Sequence, residues 1–403
     1  AKMLLIVAHS YRLMNNLEPA LRLYTLVEAK YPRQKEGVEA GYRRIQLLHQ
    51  TSDKALPDVA DNYARTQTAI DASNPYIDMA WLMKAEYHFV QAETAASGAG
   101  SDYASKHYAL AAAAYTKVRL EMVDTKYHEI CLYKRGWSQI ESDNFKNGIV
   151  NLTSFIQKHR KSSLASSAIA KRASAYQHNE DYQLALEDFR DIAKNYPEAP
   201  ELEFALQQIA LIYAHQRKTT ETIGAYQDLL QRFPNTGGAG EAHYWIGVGF
   251  FDLEQHQQAI PDLNQARNID PQYEDNATLR LIICHYQLEE IDALAKNARR
   301  YLENAPQETD QGAKAQRAFI PPQVLEYLGK KLASSRDHEN AEYFLSALAL
   351  GRNPGDISSS VWKLLAECRS ELKKHAGVII ACDNFLVQTC LLYTSPSPRD
   401  TMS

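Results

Sequence analysis

Cys284 and His285 stand side by side, the residue types of a thiol–imidazole pair. Neighbouring positions on a helix do not face one another, so both are expected to serve core packing. The run Gly237-Gly238-Ala239-Gly240 follows Pro234 and precedes a helical pattern, which invites comparison with a phosphate cradle. Such a cradle follows a strand and carries a Lys at a fixed offset. This run has neither and reads as a turn between helices. Glu289, Glu290 and Asp292 offer carboxylates, but their cluster reads as an exposed turn rather than a catalytic pair. The 13 His are scattered, and none falls in metal-ligand spacing. His-Glu-x-x-His and Gly-x-x-x-x-Gly-Lys-Ser/Thr are both absent from the sequence. Cys131, Cys284, Cys368 and Cys382 sit in helical patterns without Cys-x-x-Cys spacing and are expected to be buried, inert thiols. No catalytic residue, metal site or cofactor is expected.

One charged pattern does repeat. Lys134-Arg135 recurs as Lys171-Arg172, 37 residues on. Two readings stay open for it. In one, the pairs form a solvated basic ladder, with the arginine stems covering apolar surface and their heads in water. In the other, Lys134 and Lys171 attract an acidic segment or a terminal carboxylate, with Tyr133 and Trp137 supplying apolar contact.

The spacing of 37 organises the chain from Tyr127 to Pro271. Gly136, Ala173, Ala210 and Gly247 fall at that interval, each a small residue in a bulky helical pattern. Tyr176, Tyr213 and Phe250 follow the last three by three residues. Leu152, Phe189, Tyr226 and Leu263 recur later in each unit, and Pro197, Pro234 and Pro271 close three of them. Fixed-period self-similarity of this size means stacked helical hairpins. The small residue allows close approach of paired helices, and Pro ends the second helix because it lacks a donor and restricts its predecessor.

These residues resemble the tetratricopeptide repeat family. Ala173, Tyr176, Tyr182, Ala185, Phe189 and Pro197 match its pattern position for position, and Ala8, Tyr11, Ala20, Tyr24 and Pro32 match in the opening unit. Units closing on Tyr31-Pro32, Tyr196-Pro197 and Phe233-Pro234, with Tyr133-Lys134-Arg135-Gly136-Trp137, look like the bacterial cell-envelope branch. The resemblance implies an all-α, right-handed superhelical solenoid of antiparallel hairpins. It also implies a periplasmic or outer-membrane-associated location. Its first helices line a concave face, whose contact positions carry over to Tyr133, Lys134, Trp137, Lys171, Phe204, Gln207, Tyr244 and Phe251. The paired Lys and Asn with which the best-known members clamp a carboxylate are not matched. The alternative for these aromatics is packing against neighbouring hairpins.

Taken in order, the chain is expected to form ten hairpins with almost no strand. The third is stretched: a long helix Asp78–Ala96, a flexible break over Ser97–Ser101 and a return helix Tyr103–Met122. Residues 1–306 read as the repeat array, 307–316 as a linker or hinge and 317–389 as further hairpins. Residues 390–403 resemble a translated sequencing adapter and are set aside as a non-native tail. With a repeat already in phase at Ala1, the chain reads as a gene fragment open at both ends.

Composition agrees, with 45% apolar and 23% charged residues. A net charge of −5 offers no basic field for nucleic acid. The longest apolar runs, Met3–Ala8 and Val378–Cys382, fall far short of the roughly 20 residues that span a bilayer. The expected function is a non-enzymatic scaffold that binds a peptide or partner protein. The alternative is a regulatory or substrate-recruiting region of a longer enzyme.

Overall fold

The computed structural model describes residues 1–96, 101–304, 319–350 and 352–394, with side chains described as far as 387. Among the described residues there are 20 α-helices and no strand. The chain packs as two compact units, Ala1–Ile209 and Ala210–Ser403, and the same hairpin builds each.

In the first unit α1 (Lys2–Leu13) pairs with α2 (Leu17–Lys30), and α3 (Lys35–Gln50) with α4 (Leu56–Ile70). The long third hairpin joins α5 (Pro75–Ala96) to α6 (Ser101–Lys117). Then come α7 (His128–Ile140) with α8 (Phe145–Lys158), and α9 (Ala165–His178) with α10 (Tyr182–Asn195). The division between units falls inside α11 (Leu202–His215), which precedes α12 (Thr219–Arg232). The second unit continues with α13 (Ala239–Asp252), α14 (His256–Ile269), α15 (Glu274–Gln287) and α16 (Ile291–Glu303). It ends with α17 (Pro322–Ser334), α18 (His338–Ala349), α19 (Ser359–Glu371) and α20 (His375–Thr394).

The turn inside a hairpin is the most regular feature. Among the described residues, nine hairpins place one residue there with positive φ: Asn15, Ser52, Asp143, Glu180, Arg217, Glu254, Glu289, Arg336 and Lys373. None is glycine. Around Asp143, the Asn144 N–H donates to the Gln139 carbonyl at 2.8 Å and the Asp143 N–H to that of Ile140 at 3.0 Å. These two hydrogen bonds satisfy the last carbonyls of the first helix and reverse the chain. In eight of these hairpins the second helix begins two residues after the positive-φ residue; after Ser52 it begins four residues on, at Leu56.

Close approach of the paired helices follows the small-against-bulky pattern. A Cβ added at Gly136 or Gly247 would lie 2.7 Å from Leu152 or Leu263, and one at Gly329 2.5 Å from Leu345. Where the small residue is Ala173 or Ala210, the aromatic 16 residues on, Phe189 or Tyr226, is fully buried.

The third hairpin starts earlier and ends sooner than its sequence pattern implied. The return helix stops at Lys117, and Leu120–Met122 forms a separate 3-10 turn. Arg119 explains the stop: its backbone N–H reaches Asp78 Oδ1 at 2.9 Å and its guanidinium Oδ2 at 2.6 Å. Asp78 is fully buried at the start of α5, so this clasp ties both ends of the hairpin together. Of the expected break, residues 97–100 lie outside the described residues, as do the expected linker 307–316 and residues 395–403 of the tail. The backbone of α20 runs on to Thr394, into the stretch set aside as non-native.

Candidate partner-binding face

The first helices α5, α7 and α9 of the opening unit carry one contact twice. Lys134 of α7 reaches back to α5, where its Nζ lies 2.6 Å from Glu86 Oε2 and 4.4 Å from the centre of the Phe89 ring. Lys171 of α9 reaches back to α7, pairing with Glu141 and lying 4.6 Å from the centre of Trp137. Each cation thus meets a carboxylate and an aromatic face of the preceding first helix. The Tyr115 hydroxyl of α6 donates to the other oxygen of Glu86 at 2.5 Å. The Trp137 indole N–H donates to Glu141 at 3.2 Å, and the ring meets Phe89 edge-on at 5.0 Å.

This geometry changes the reading of the basic pairs. The lysines do not form a solvated ladder, because both are half-buried and matched by carboxylates. For the same reason they present little net positive field to an acidic segment. The arginine heads are not left to water either, since both bond to groups of the protein. Arg135 donates to the carbonyls of Tyr115 and Val118, and burial lowers its pKa. Arg172 grips Asp188 with two bonds, at 2.6 and 2.8 Å, and donates to Thr153. Arg172 thus forms a part-buried ion pair between α9 and α10.

Of the positions expected to meet a partner, Tyr133, Lys134, Trp137 and Lys171 come together. Tyr133 nonetheless packs inward: its ring is buried and its hydroxyl lies 2.8 Å from the Ser167 oxygen. Phe204 and Gln207 lie one turn apart on α11, where Phe204 is 42% exposed and meets Phe189 edge-on. Tyr244 and Phe251 belong to the second unit. There Arg280 of α15 lies 5.5 Å from the centre of Tyr244 and 5.9 Å from that of Phe251, both on α13. Tyr244 also stacks on Tyr273 at 4.4 Å. Arg280 donates to the Asn276 carbonyl of its own helix and has no carboxylate partner among the described residues.

Glu86, Phe89, Glu141 and Arg280 were missed by sequence reasoning. The available signal was a cation on one first helix with an aromatic about one repeat earlier. It is readable only after the period is known, and the stretched third hairpin shifts it for Glu86 and Phe89.

Groups of catalytic type are accounted for by packing. Burial pushes the Cys131 and Cys284 thiols up to about 12, and raises that of Cys368. Cys382, expected to be buried, is exposed. His285 is buried and its Nδ1 lies 2.6 Å from Glu290, which explains why a carboxylate sits at that turn. Gly238 is the N-cap residue of α13, so Gly237-Gly238 lie in the turn between hairpins while Ala239-Gly240 open the helix. Among the described residues, no group of three or more His, Cys, Asp or Glu could hold a metal ion. Nor is any helix there long and apolar enough to cross a membrane.

Residues 168–199 and 204–236 match the tetratricopeptide repeat family, which are the hairpins α9–α10 and α11–α12. No curated protein matches the sequence at a significant level. Among solved structures, a tetratricopeptide repeat protein from Parabacteroides merdae is 13% identical, with a TM-score of 0.36 over 71% of this chain and 98% of that one. PilW, a type IV pilus biogenesis factor, is 16% identical, with a TM-score of 0.27 over 57% and 95%. The pilF protein of Pseudomonas aeruginosa is 17% identical, with a TM-score of 0.31 over 55% and 90%.

Proposed function

We propose that this chain, which carries tetratricopeptide repeats, is a non-enzymatic scaffold whose first helices hold a peptide or partner protein. The observation that carries the reading is the cation laid across aromatic rings of the preceding first helix. It occurs at Lys171 over Trp137 and at Arg280 over Tyr244 and Phe251. Half-buried aromatics with polar tips or neighbours are the residue types that anchor protein interfaces. Arg280 is already positioned on its rings and has no carboxylate of its own among the described residues, so a partner's carbonyl or carboxylate finds it with little entropy left to lose. Lys171, paired with Glu141, holds the Trp137 ring in place. A bacterial envelope location is part of the proposal and rests on the Tyr-Pro and Phe-Pro closings. Cell fractionation of the native source tests it.

Photo-crosslinking separates the first helices of each unit from the rest of its surface. A crosslinking residue at Phe251 or Phe204 is expected to capture a polypeptide. One at Val150, exposed on the second helix α8, is expected to capture none. Equal capture from Val150, or capture only from it, would overturn the assignment of the face.

A further inference from the structure

Helices α4, α5 and α6 of the opening unit enclose a site that the scaffold reading does not use. Between them lies an open cavity of about 480 Å³, within the range of ligand pockets. Ala64 and Ala69 of α4 leave the space, and the half-buried indole of Trp81 from α5 forms part of its wall. Lys117 of α6 places its Nζ 3.8 Å from the centre of that indole. Arg65 of α4 lines the same cavity.

The charge balance there is one-sided. Lys84, 5.6 Å from the centre of the same indole, is matched by Asp61 at 2.6 Å. Arg65 and Lys117 are exposed and have no carboxylate partner among the described residues. Three cations therefore face one carboxylate, in a chain whose net charge is −5. Elsewhere on this unit, Lys134 and Lys171 are matched by carboxylates of their own chain. An indole left partly open beside two unmatched cations lacks both an apolar cover and an anion.

We propose that this cavity binds an acidic peptide segment. One carboxylate of the segment lies between Arg65 and Lys117, and a neighbouring aliphatic side chain covers Trp81 and Ala69. A bare phosphate group fits less well. It would leave the indole and the exposed Ala69 uncovered, and its second negative charge would meet the Asp61 carboxylate in the wall.

The test titrates the full chain with an acetylated, amidated peptide of alternating Glu and Leu, at about 50 mM salt where screening is modest. A matching peptide of alternating Gln and Leu serves as the uncharged control. Arg65→Gln with Lys117→Gln is expected to weaken binding of the acidic peptide about tenfold. The melting temperature should hold, since both side chains are exposed. Trp81→Leu tests the apolar half and is expected to weaken binding without abolishing its salt dependence. Lys363→Gln, at an exposed cation on α19 of the second unit, should change nothing. The proposal is overturned if the double variant binds as tightly as the parent, or if the Gln–Leu peptide binds equally well. It is also overturned if tripolyphosphate displaces the peptide at lower concentration than unlabelled peptide does, or if Lys363→Gln alone removes binding.

Discussion

Lys134→Ala should destabilise the junction of the third and fourth hairpins far more than loss of an exposed cation would. Glu86 holds two donors, the Tyr115 hydroxyl at 2.5 Å and the Lys134 ammonium at 2.6 Å. The Lys134 and Glu86 side chains are 17% and 23% exposed. Exposed ion pairs contribute about 0.2–1 kcal/mol, whereas breaking a buried one costs about 3–5 kcal/mol. At this burial, stranding Glu86 should cost about 2 kcal/mol, which includes about 0.5–1 kcal/mol for the lost cation over Phe89. Glu86→Gln with Lys134→Met removes both charges, while the amide oxygen still accepts from Tyr115. That double variant should recover about 1 kcal/mol relative to the sum of the single losses. Repeat arrays unfold in parts, so a whole-chain midpoint would dilute the effect. Amide exchange across α5–α7 reads it locally, and Trp137 emission offers a second probe because its ring meets Phe89. Additive single effects, within about 0.3 kcal/mol, would refute the claim that Glu86 depends on Lys134.

The turn residues predict a gain. Arg217→Gly and Glu254→Gly, both exposed with φ near 60°, should each stabilise their hairpin by about 0.5–1 kcal/mol in urea unfolding, the relief of a left-handed side chain less the extra chain entropy of glycine. The same substitution should have opposite signs at two helical glycines: Gly224→Ala meets nothing within 4 Å and should gain about 0.5–1 kcal/mol. Gly136→Ala drives a Cβ to 2.7 Å from Leu152 and should lose about 1–2 kcal/mol net. The third hairpin should weaken in acid. His88 and His107 meet through their Nδ1 atoms at 3.2 Å, and burial, helped by the His107 charge, lowers His88 to about 4. Its unfolded counterpart takes a proton first, so stability is full above about pH 6.5 and falls towards pH 4, by about 2–3 kcal/mol. Amide exchange in α5 and α6 at pH 7 and 4.5 measures the fall, and His107→Phe should shrink it.

Much of the architecture was legible because close packing writes a period into the chain. Gly136, Ala173, Ala210 and Gly247 repeat since each must admit a bulky residue from the helix it faces. Pro32, Pro197 and Pro234 were legible because a missing donor acts locally, whatever the fold. The turn residues were not. Their shared property is a backbone angle, and Asn15, Glu180, Arg217 and Lys373 have no side-chain type in common. The end of α6 was also misplaced. Apolar periodicity continues through Leu120 and Met122, but the buried carboxylate of Asp78 captures the Arg119 backbone and ends the helix there. That contact spans 41 residues, beyond the reach of any local pattern.

Positions on the candidate face were legible, but their charge state was not. Lys134 and Lys171 repeat in sequence, and repetition alone suggests a basic surface. Their carboxylates do not repeat in phase: Glu86 lies on α5 upstream of the inserted stretch, and Glu141 at the end of α7. A period search therefore finds the cations and overlooks the anions that neutralise them. Cations outside the period are the ones left open. Arg65, Lys117 and Arg280 have no carboxylate partners among the described residues, and each lies beside aromatic rings or an open cavity. An unmatched cation costs little in water, but beside a half-buried ring it is already partly desolvated and gains more from an incoming anion than a fully hydrated one would. Recognition in this chain is therefore expected where the repeat pattern breaks, while the repeated lysines hold neighbouring hairpins together.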